Sequence, residues 1–554
     1  MVNATMSHTF GKIFATLGLV GAVVVYAGAQ QIETADLLGG LANASRWLVH
    51  SGDYTSKRHS PLTQITPANV GALTPVWTFD TGLGFGRSAK FEATPIAIDG
   101  TLYVSGLYNH AWAIDGRTGT PIWHYERTLP ASLKVCCGLA NRGFAVHGGR
   151  LFMSTLDAHV IALDMKTGKP VWDVQMIDHR MGYAATAAPL VVKDKLIVGM
   201  AGGEFATRGF LDAYDLETGK RIWRFNTIPA PGEPGGNTWP AGHFERGGGP
   251  TWITGSYDHE LNLVYWGVGN PNPDFYGGNR LGDNLYTASV VALDADTGRL
   301  RWHFQFTPHD EHDWDANQVQ VLADLTIGGR PRKTLITANR NGFFYVLDRT
   351  DGTFIQARPY VTTTWATEVD RKGRPIELPN QRPTPAGVRT CPDLAGGSSF
   401  TSPSFDPVRR LFFVSARETC QVYTSIAPPE NYQLGTMVMG GGSRSRGGTG
   451  ALRAIDPVTM ERKWEVPYGE PSYSGVLSTA SGLVFAGDHE GTLMAVHADT
   501  GRVLWRHGLG GAFWGAPSTV LIGGRQLVLM PAGQTLTAFA LPAPNGTPAP
   551  PAGR

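Results

Sequence analysis

The sequence predicts an all-β fold, an eight-bladed β-propeller with tryptophan-docking blade repeats, and three observations predict it. One pattern recurs along the chain: Ala, an apolar residue, Asp, two residues, Thr-Gly, three residues, Trp. The tryptophans that end it return with a blade-length period. The composition agrees, being rich in Gly (70) and Trp (15) with only 17% charged residues. Such a chain suits glycine-turned strands around large buried indoles better than helices. Its 554 residues also exceed one routine core, which favours several domains or a repeat architecture.

The close copies are AIDGRTGTPIW ending at Trp123, ALDMKTGKPVW at Trp172, AYDLETGKRIW at Trp223, ALDADTGRLRW at Trp302 and AVHADTGRVLW at Trp505. Weaker copies are VWTFDTG around Trp77, VLDRTDGTFI at 346–355 and AIDPVTMERKW ending at Trp464, making eight units. Each reads as strand, Asp/Thr-Gly turn, strand, with alternating apolar residues to bury one face. From Trp77 to Trp223 the neighbouring indoles lie 46 to 51 residues apart. That period belongs to a propeller blade of short strands, not to a helical solenoid. Each Trp is expected between adjacent blades, where its N–H needs a backbone acceptor. The spacing stretches between Trp223 and Trp302 and again before Trp464, so insertions are expected there, on the loops where function tends to sit.

The expected domains are a leader at 1–29, a propeller at 30–541 and a disordered Pro-rich tail at 542–554. The leader has Lys12, the apolar run Ile13 to Ala27 and a small-x-small ending, Ala27-Gly28-Ala29. This pattern reads as export with cleavage before Gln30, a retained anchor being the alternative. Lys+Arg (47) and Asp+Glu (46) nearly balance, so charge gives no case for nucleic acid or an anionic membrane. GGGSRSRGGTG (440–450) lacks the Gly-Lys-Ser/Thr ending of a nucleotide loop and reads as a flexible loop. No strand–GxGxxG–helix unit supports nicotinamide chemistry. Four cysteines in an exported chain point to disulfides. Cys391 and Cys420 could join across a loop, while Cys136 and Cys137 are adjacent; reduced thiols or cross-pairing remain open.

A propeller alone does not imply an enzyme. Several motifs, however, coincide in order: FEATP around Glu92, CCGLANRG (136–143), AATAAP around Thr186, AGGEFATRG (201–209), PTWITGSYD (250–258), GVGNPNP (267–273), TPHDEHDWD (307–315) and ANRNG (338–342). Glu204 follows Gly202 and Gly203, which lets a flat ligand approach closely. Asn270 sits between Gly269 and Pro271 on a turn that can present its amide oxygen. Asp313 and Asp315 are two apart, so an extended segment points both to one side. Such oxygens suit a hard cation rather than zinc. His309 and His312 have His-x-x-His spacing but no evident third nitrogen or sulfur ligand, and read as loop histidines holding the acidic segment.

Together these motifs resemble the alcohol and methanol dehydrogenases that depend on pyrroloquinoline quinone (PQQ), over nearly the whole mature chain. The resemblance implies that Glu204, Asn270 and Asp313 ligate a metal ion. Members using a trivalent lanthanide resemble this sequence in a second Asp two places on, here Asp315. A third carboxylate helps balance a +3 ion, whereas around a +2 ion it adds repulsion. A lanthanide is therefore expected, with Ca²⁺ as fallback. Trp252 resembles the indole that stacks on one face of the cofactor, and Cys136–Cys137 the disulfide that covers the other; a bridge between neighbouring residues is strained. Arg142, Thr186 and Glu92 match positions that bond the cofactor's carboxylates and edge, and Arg340 the arginine at the reactive quinone oxygen.

The reaction the resemblance implies is alcohol oxidation by hydride transfer to PQQ, the cation acting as Lewis acid and Asp313 as base. A cation contact depresses the pKa of that Asp, which opposes its role as base. A sugar or polyol, or an aldehyde, is an alternative substrate class. Ser399-Phe400 stands where methanol-type members usually have Asn-Trp, and Tyr473 near where many carry a cofactor-side Trp, so a methanol-specific pocket is not implied. No Cys-x-x-Cys-His haem site is present, so electrons would pass to an external acceptor such as cytochrome c. The implied compartment is the periplasm, and a homodimer stays open. The competing class is a non-catalytic propeller scaffold for outer-membrane assembly, which needs none of the acidic set or the paired cysteines.

Overall fold

Seven of the eight repeat copies, all but the one around Trp77, fold as two antiparallel strands around a tight turn. In the copy ending at Trp172, His159–Asp164 pairs with Pro170–Gln175. Asp164 Oδ1 ties the turn by accepting from the backbone N–H groups of Lys166 and Thr167 and from the Thr167 hydroxyl. Gly168 then takes the left-handed conformation, φ +69°, and a Cβ there would stand 2.6 Å from the ring of Trp123 on the preceding sheet. The glycine is thus required twice, by its φ and by the indole packed on it.

The computed structural model describes residues 1–2, 31–84 and 90–543. The expected leader from residue 3 and the expected tail from residue 544 lie outside the described residues. Among the described residues no helix is long and apolar enough to cross a membrane. Among the described residues eight sheets have four or five strands, and one further two-stranded sheet joins Ala366–Val369 to Pro375–Glu377. One sheet is built from both ends of the chain, Thr74–Asp80 pairing with Thr535–Ala540. The inner strands are buried and carry the apolar cores, as in Leu263–Val268 and Phe343–Asp348.

Successive sheets are tied by the repeat's indoles. The Nε1–H of Trp77, Trp123, Trp172, Trp223, Trp302, Trp464 and Trp505 donates to the carbonyls of Gly116, Met165, Leu216, Ala295, Arg349, Ala498 and Leu73, in that order, at 2.8–3.3 Å. The last link returns to the N-terminal segment and closes the ring, giving an all-β propeller. In the weak copy at 346–355 the Trp position falls on Gln356. Its Nε2 donates to the Pro457 carbonyl at 2.8 Å, the acceptor position the indoles use elsewhere. Opposite it, Met460 replaces the repeat glycine and holds φ +62°. Without an indole on that turn, a Cβ is tolerated.

The two stretched spacings carry the expected insertions. One, between Trp223 and Trp302, contains the PTWITGS and GNPNP segments. The other contains a long hairpin, Leu411–Ser425 paired with Gly441–Ile455. This corrects one expectation: 440–450 is not a flexible loop but, from Gly441, a strand paired with Leu411–Ser425. Gly448 serves close approach, since a Cβ there would meet the Glu418 carbonyl at 2.3 Å.

Candidate active site

The chain brings the expected residues into one cavity. Glu92, Cys136, Cys137, Arg142, Thr186, Gly202, Glu204, Trp252, Asp313, Asp315 and Arg340 all line it, and it measures about 1150 Å³ counted to its open mouth. Gly203 and Asn270 stand directly behind the wall, where a Cβ on Gly203 would lie 2.8 Å from Asn270 Oδ1. Both cysteine pairs are disulfides, Cys136–Cys137 with Cα atoms 3.8 Å apart and Cys391–Cys420 at 4.2 Å. The open choice of pairings is thereby resolved.

One end of the cavity is acidic. Glu204 Oε1 lies 3.3 Å from Cys136 Sγ. Asp315 accepts twice, from the backbone N–H of Asn270 at 2.7 Å and from the Trp252 indole N–H at 3.0 Å. Arg340 Nη1 donates to the Asp313 carbonyl at 2.8 Å and stands 3.1 Å from Asp315 Oδ2. The expected alternation is corrected here. The segment forms no strand, and Asp313 holds a left-handed φ of +60°. Asp313 and Asp315 share a direction because Arg340 reaches both, at 3.9 Å and 3.1 Å. His309 and His312 do anchor the segment: their ring nitrogens meet the carbonyls of Gly282 at 2.7 Å and Gln381 at 3.1 Å.

Burial dominates the electrostatics. It pushes the Glu204 carboxyl up to about 7, with Asp315 adding to the rise and Arg340 opposing it. Burial also raises Asp313 well above the usual carboxylate range, assisted by Asp274 and Asp315. Burial works against the charge on Arg340, but Asp315 and Asp313 outweigh it and hold its pKa above the ordinary value. Crowded, water-excluded carboxylates of this kind favour either protonation or a cation.

The other end is a cationic cradle. Arg142 donates to Thr186 Oγ1 at 2.7 Å and pairs with Glu92 at 2.6 Å, and its guanidinium lies 4.9 Å over the Trp252 ring. Burial raises the Glu92 pKa and lowers that of Arg142, so the pair is held by mutual need. The cavity also holds an aromatic slab. Phe400 stacks on Tyr473 at 5.6 Å, and Tyr473 on Trp514 at 4.7 Å. Trp514 and the buried Asp274 escaped sequence reasoning. Trp514 lies outside every repeat copy, and Asp274 reads as an ordinary turn residue after GNPNP.

The residues fit both a hard cation and a flat anionic cofactor. Asn270 Nδ2 is committed to Asp274 Oδ1 at 2.9 Å and to the Pro271 carbonyl at 3.3 Å, while its buried Oδ1 has no protein partner among the described residues. An orphaned amide oxygen beside Glu204 is what an oxygen-preferring ion would satisfy. Side-chain-free Gly203 and Gly269 make the approach feasible, since a Cβ on Gly269 would stand 2.1 Å from Asp315 Oδ1. For a flat polyanion the cavity offers an indole, a disulfide and two guanidiniums.

Comparison with known proteins agrees with this chemistry. The family described as glucose/ethanol/alcohol dehydrogenase, β-propeller domain, matches residues 47–383, and that of the outer membrane protein assembly factor BamB matches residues 448–547. The chain is 36% identical over 549 residues to the quinoprotein alcohol dehydrogenase PedH of Pseudomonas putida, covering 93% of this chain and 91% of the relative. It is also 36% identical over 544 residues to the lanthanide-dependent methanol dehydrogenase of Methylacidiphilum fumariolicum, covering 92% and 87%. A solved europium-containing methanol dehydrogenase superposes with a TM-score of 0.85 at 32% identity, covering 92% of this chain and 100% of that one.

Proposed function

The chain belongs to the PQQ-dependent alcohol dehydrogenase family and is an oxidoreductase of that kind, and we propose that it oxidises a primary or secondary alcohol with a lanthanide ion beside PQQ. Glu204, Asn270, Asp313 and Asp315 would hold the ion. Trp252 and the Cys136–Cys137 disulfide would cover the two faces of the cofactor, and Arg142, Thr186 and Glu92 would take its carboxylates and edge. When bound, PQQ supplies the two-electron acceptor and the ion a Lewis acid. The observation that carries this reading is the unpartnered Asn270 Oδ1 set among buried carboxylates.

The chain's own residues then divide the work. Asp313 takes the substrate's hydroxyl proton. Burial with Asp274 and Asp315 raises its proton affinity, which favours that role, and a bound cation would oppose the rise. Arg340 is fixed by the Asp313 carbonyl and Asp315, and its Nη2 reaches Ser399 Oγ at 3.4 Å. The Phe400–Tyr473–Trp514 slab supports an alcohol with an apolar body over a polyol.

The finer architecture follows the same reading: eight blades, docked by seven tryptophans and by Gln356. A periplasmic location and transfer of electrons to a separate acceptor, a cytochrome c, are part of the proposal. The test is to add PQQ with La³⁺ to the purified protein and pass it through gel filtration. A quinone absorption band travelling with the protein is expected. Its absence with both La³⁺ and Ca²⁺ would leave a non-catalytic propeller as the better reading.

A further inference from the structure

Asn270 is clamped by two carboxylates, and only one of them belongs to the ligand set. Asp315 Oδ1 takes its backbone N–H at 2.7 Å. Asp274 Oδ1 takes its side-chain N–H at 2.9 Å. Because an amide has one oxygen and one nitrogen end, holding Nδ2 against Asp274 turns Oδ1 the opposite way, towards Gly203, which precedes Glu204 in the chain. Asp274 is itself 0% exposed. Its second oxygen, Oδ2, is buried with no protein partner among the described residues.

The nearest cation does not explain that carboxylate. Arg280 is equally buried, yet its N–H groups go to the carbonyls of Pro273 and Asp310 and to Asn284 Oδ1. No ion pair to Asp274 within 4.0 Å occurs among the described residues. A buried carboxylate with no direct ion pair, offset by Arg280 only at longer range and one hydrogen bond from a metal-facing amide, is favoured by a further positive charge nearby.

We propose that Asp274 is a positioning residue of the metal site that orients Asn270 Oδ1 and adds a further buried negative charge that selects a trivalent over a divalent ion. This rests on the metal reading of Glu204, Asn270, Asp313 and Asp315 given above. The two roles separate by substitution. Asp274→Asn keeps the shape and an oxygen to accept from Asn270, but removes the charge. Asp274→Ala removes both. An added charge acts more strongly on a +3 than on a +2 ion, so its loss is felt as a change in selectivity.

The experiment is equilibrium dialysis of the PQQ-loaded enzyme against chelator-buffered La³⁺ or Ca²⁺, with bound metal measured by mass spectrometry and folding checked by circular dichroism. For Asp274→Asn both affinities should fall, La³⁺ the more steeply, so that the La³⁺ over Ca²⁺ preference drops on the order of tenfold. Asp274→Ala should weaken both ions further than Asp274→Asn does, because Asn270 Oδ1 is then no longer oriented. A folded Asp274→Asn enzyme with the wild-type La³⁺/Ca²⁺ ratio would overturn the inference while leaving the metal site standing. A wild type that binds neither ion would overturn the site and the inference together.

Discussion

The indole N–H of Trp252 donates to Asp315 Oδ2 at 3.0 Å. One hydrogen bond thus joins the aromatic surface of the cavity to its acidic end. Asp315 also orders Asn270 and faces Arg340, so three elements meet on one carboxylate. Asp315→Ala should abolish La³⁺-supported turnover and leave Arg340 and Trp252 without that acceptor. Steady-state assay with La³⁺ checks this, and full activity of the variant would refute the role of Asp315.

Asp313 is expected to act through its proton affinity more than through its ligand atoms. Asp313→Asn retains an amide oxygen for the ion but cannot take a proton. Its kcat should fall about 10²–10⁴-fold, with metal content near that of the wild type. Loss of metal in proportion to activity would instead make Asp313 a ligand only.

The crowded acids predict a pH dependence of stability in the metal-free protein. Burial brings Glu204 and Asp310 to about 7, above their unfolded values of 4.5 and 3.8. The folded protein therefore holds protons in that window that the unfolded chain releases. This contribution is full below the unfolded values and is lost as pH rises through about 7. The metal-free Tm should drop between pH 5 and pH 8 by on the order of 5 °C, and La³⁺ should raise Tm more at pH 8. Thermal scans with and without chelator decide it; a metal-free Tm that climbs over this range would contradict the assignment.

Gln356 and Met460 give a test of the docking rule. Gln356→Trp alone should meet the Met460 Cβ and destabilise by about 1–3 kcal/mol. With Met460→Gly added, the indole gains the cleared turn and the Pro457 carbonyl, and the left-handed strain at Met460 is relieved. The double variant should recover at least wild-type stability in denaturant titration. Additive destabilisation would show that the two positions are independent.

The sequence made the propeller legible because the repeat encodes its own reasons: the Asp ties the turn, the Gly clears space, and the Trp reaches the next sheet. It also brought Glu204, Trp252, Asp313, Asp315 and Arg340 into view through motifs. Other features were hidden because they are consequences of three-dimensional neighbours. Gln356 as a stand-in for Trp is visible only from the carbonyl it meets. Asp274 matters only because Asn270 turns towards it, and Trp514 only because Tyr473 and Phe400 stack in line with it. The shared direction of Asp313 and Asp315 was read for the wrong reason, strand alternation, when a left-handed residue and Arg340 produce it.

The most direct measurement is dye-linked alcohol oxidation by the purified protein reconstituted with PQQ and either La³⁺ or Ca²⁺. Turnover supported by La³⁺ and much weaker with Ca²⁺ is the expected result. Turnover with Ca²⁺ alone would contradict the lanthanide site, and none with either ion would contradict the enzyme.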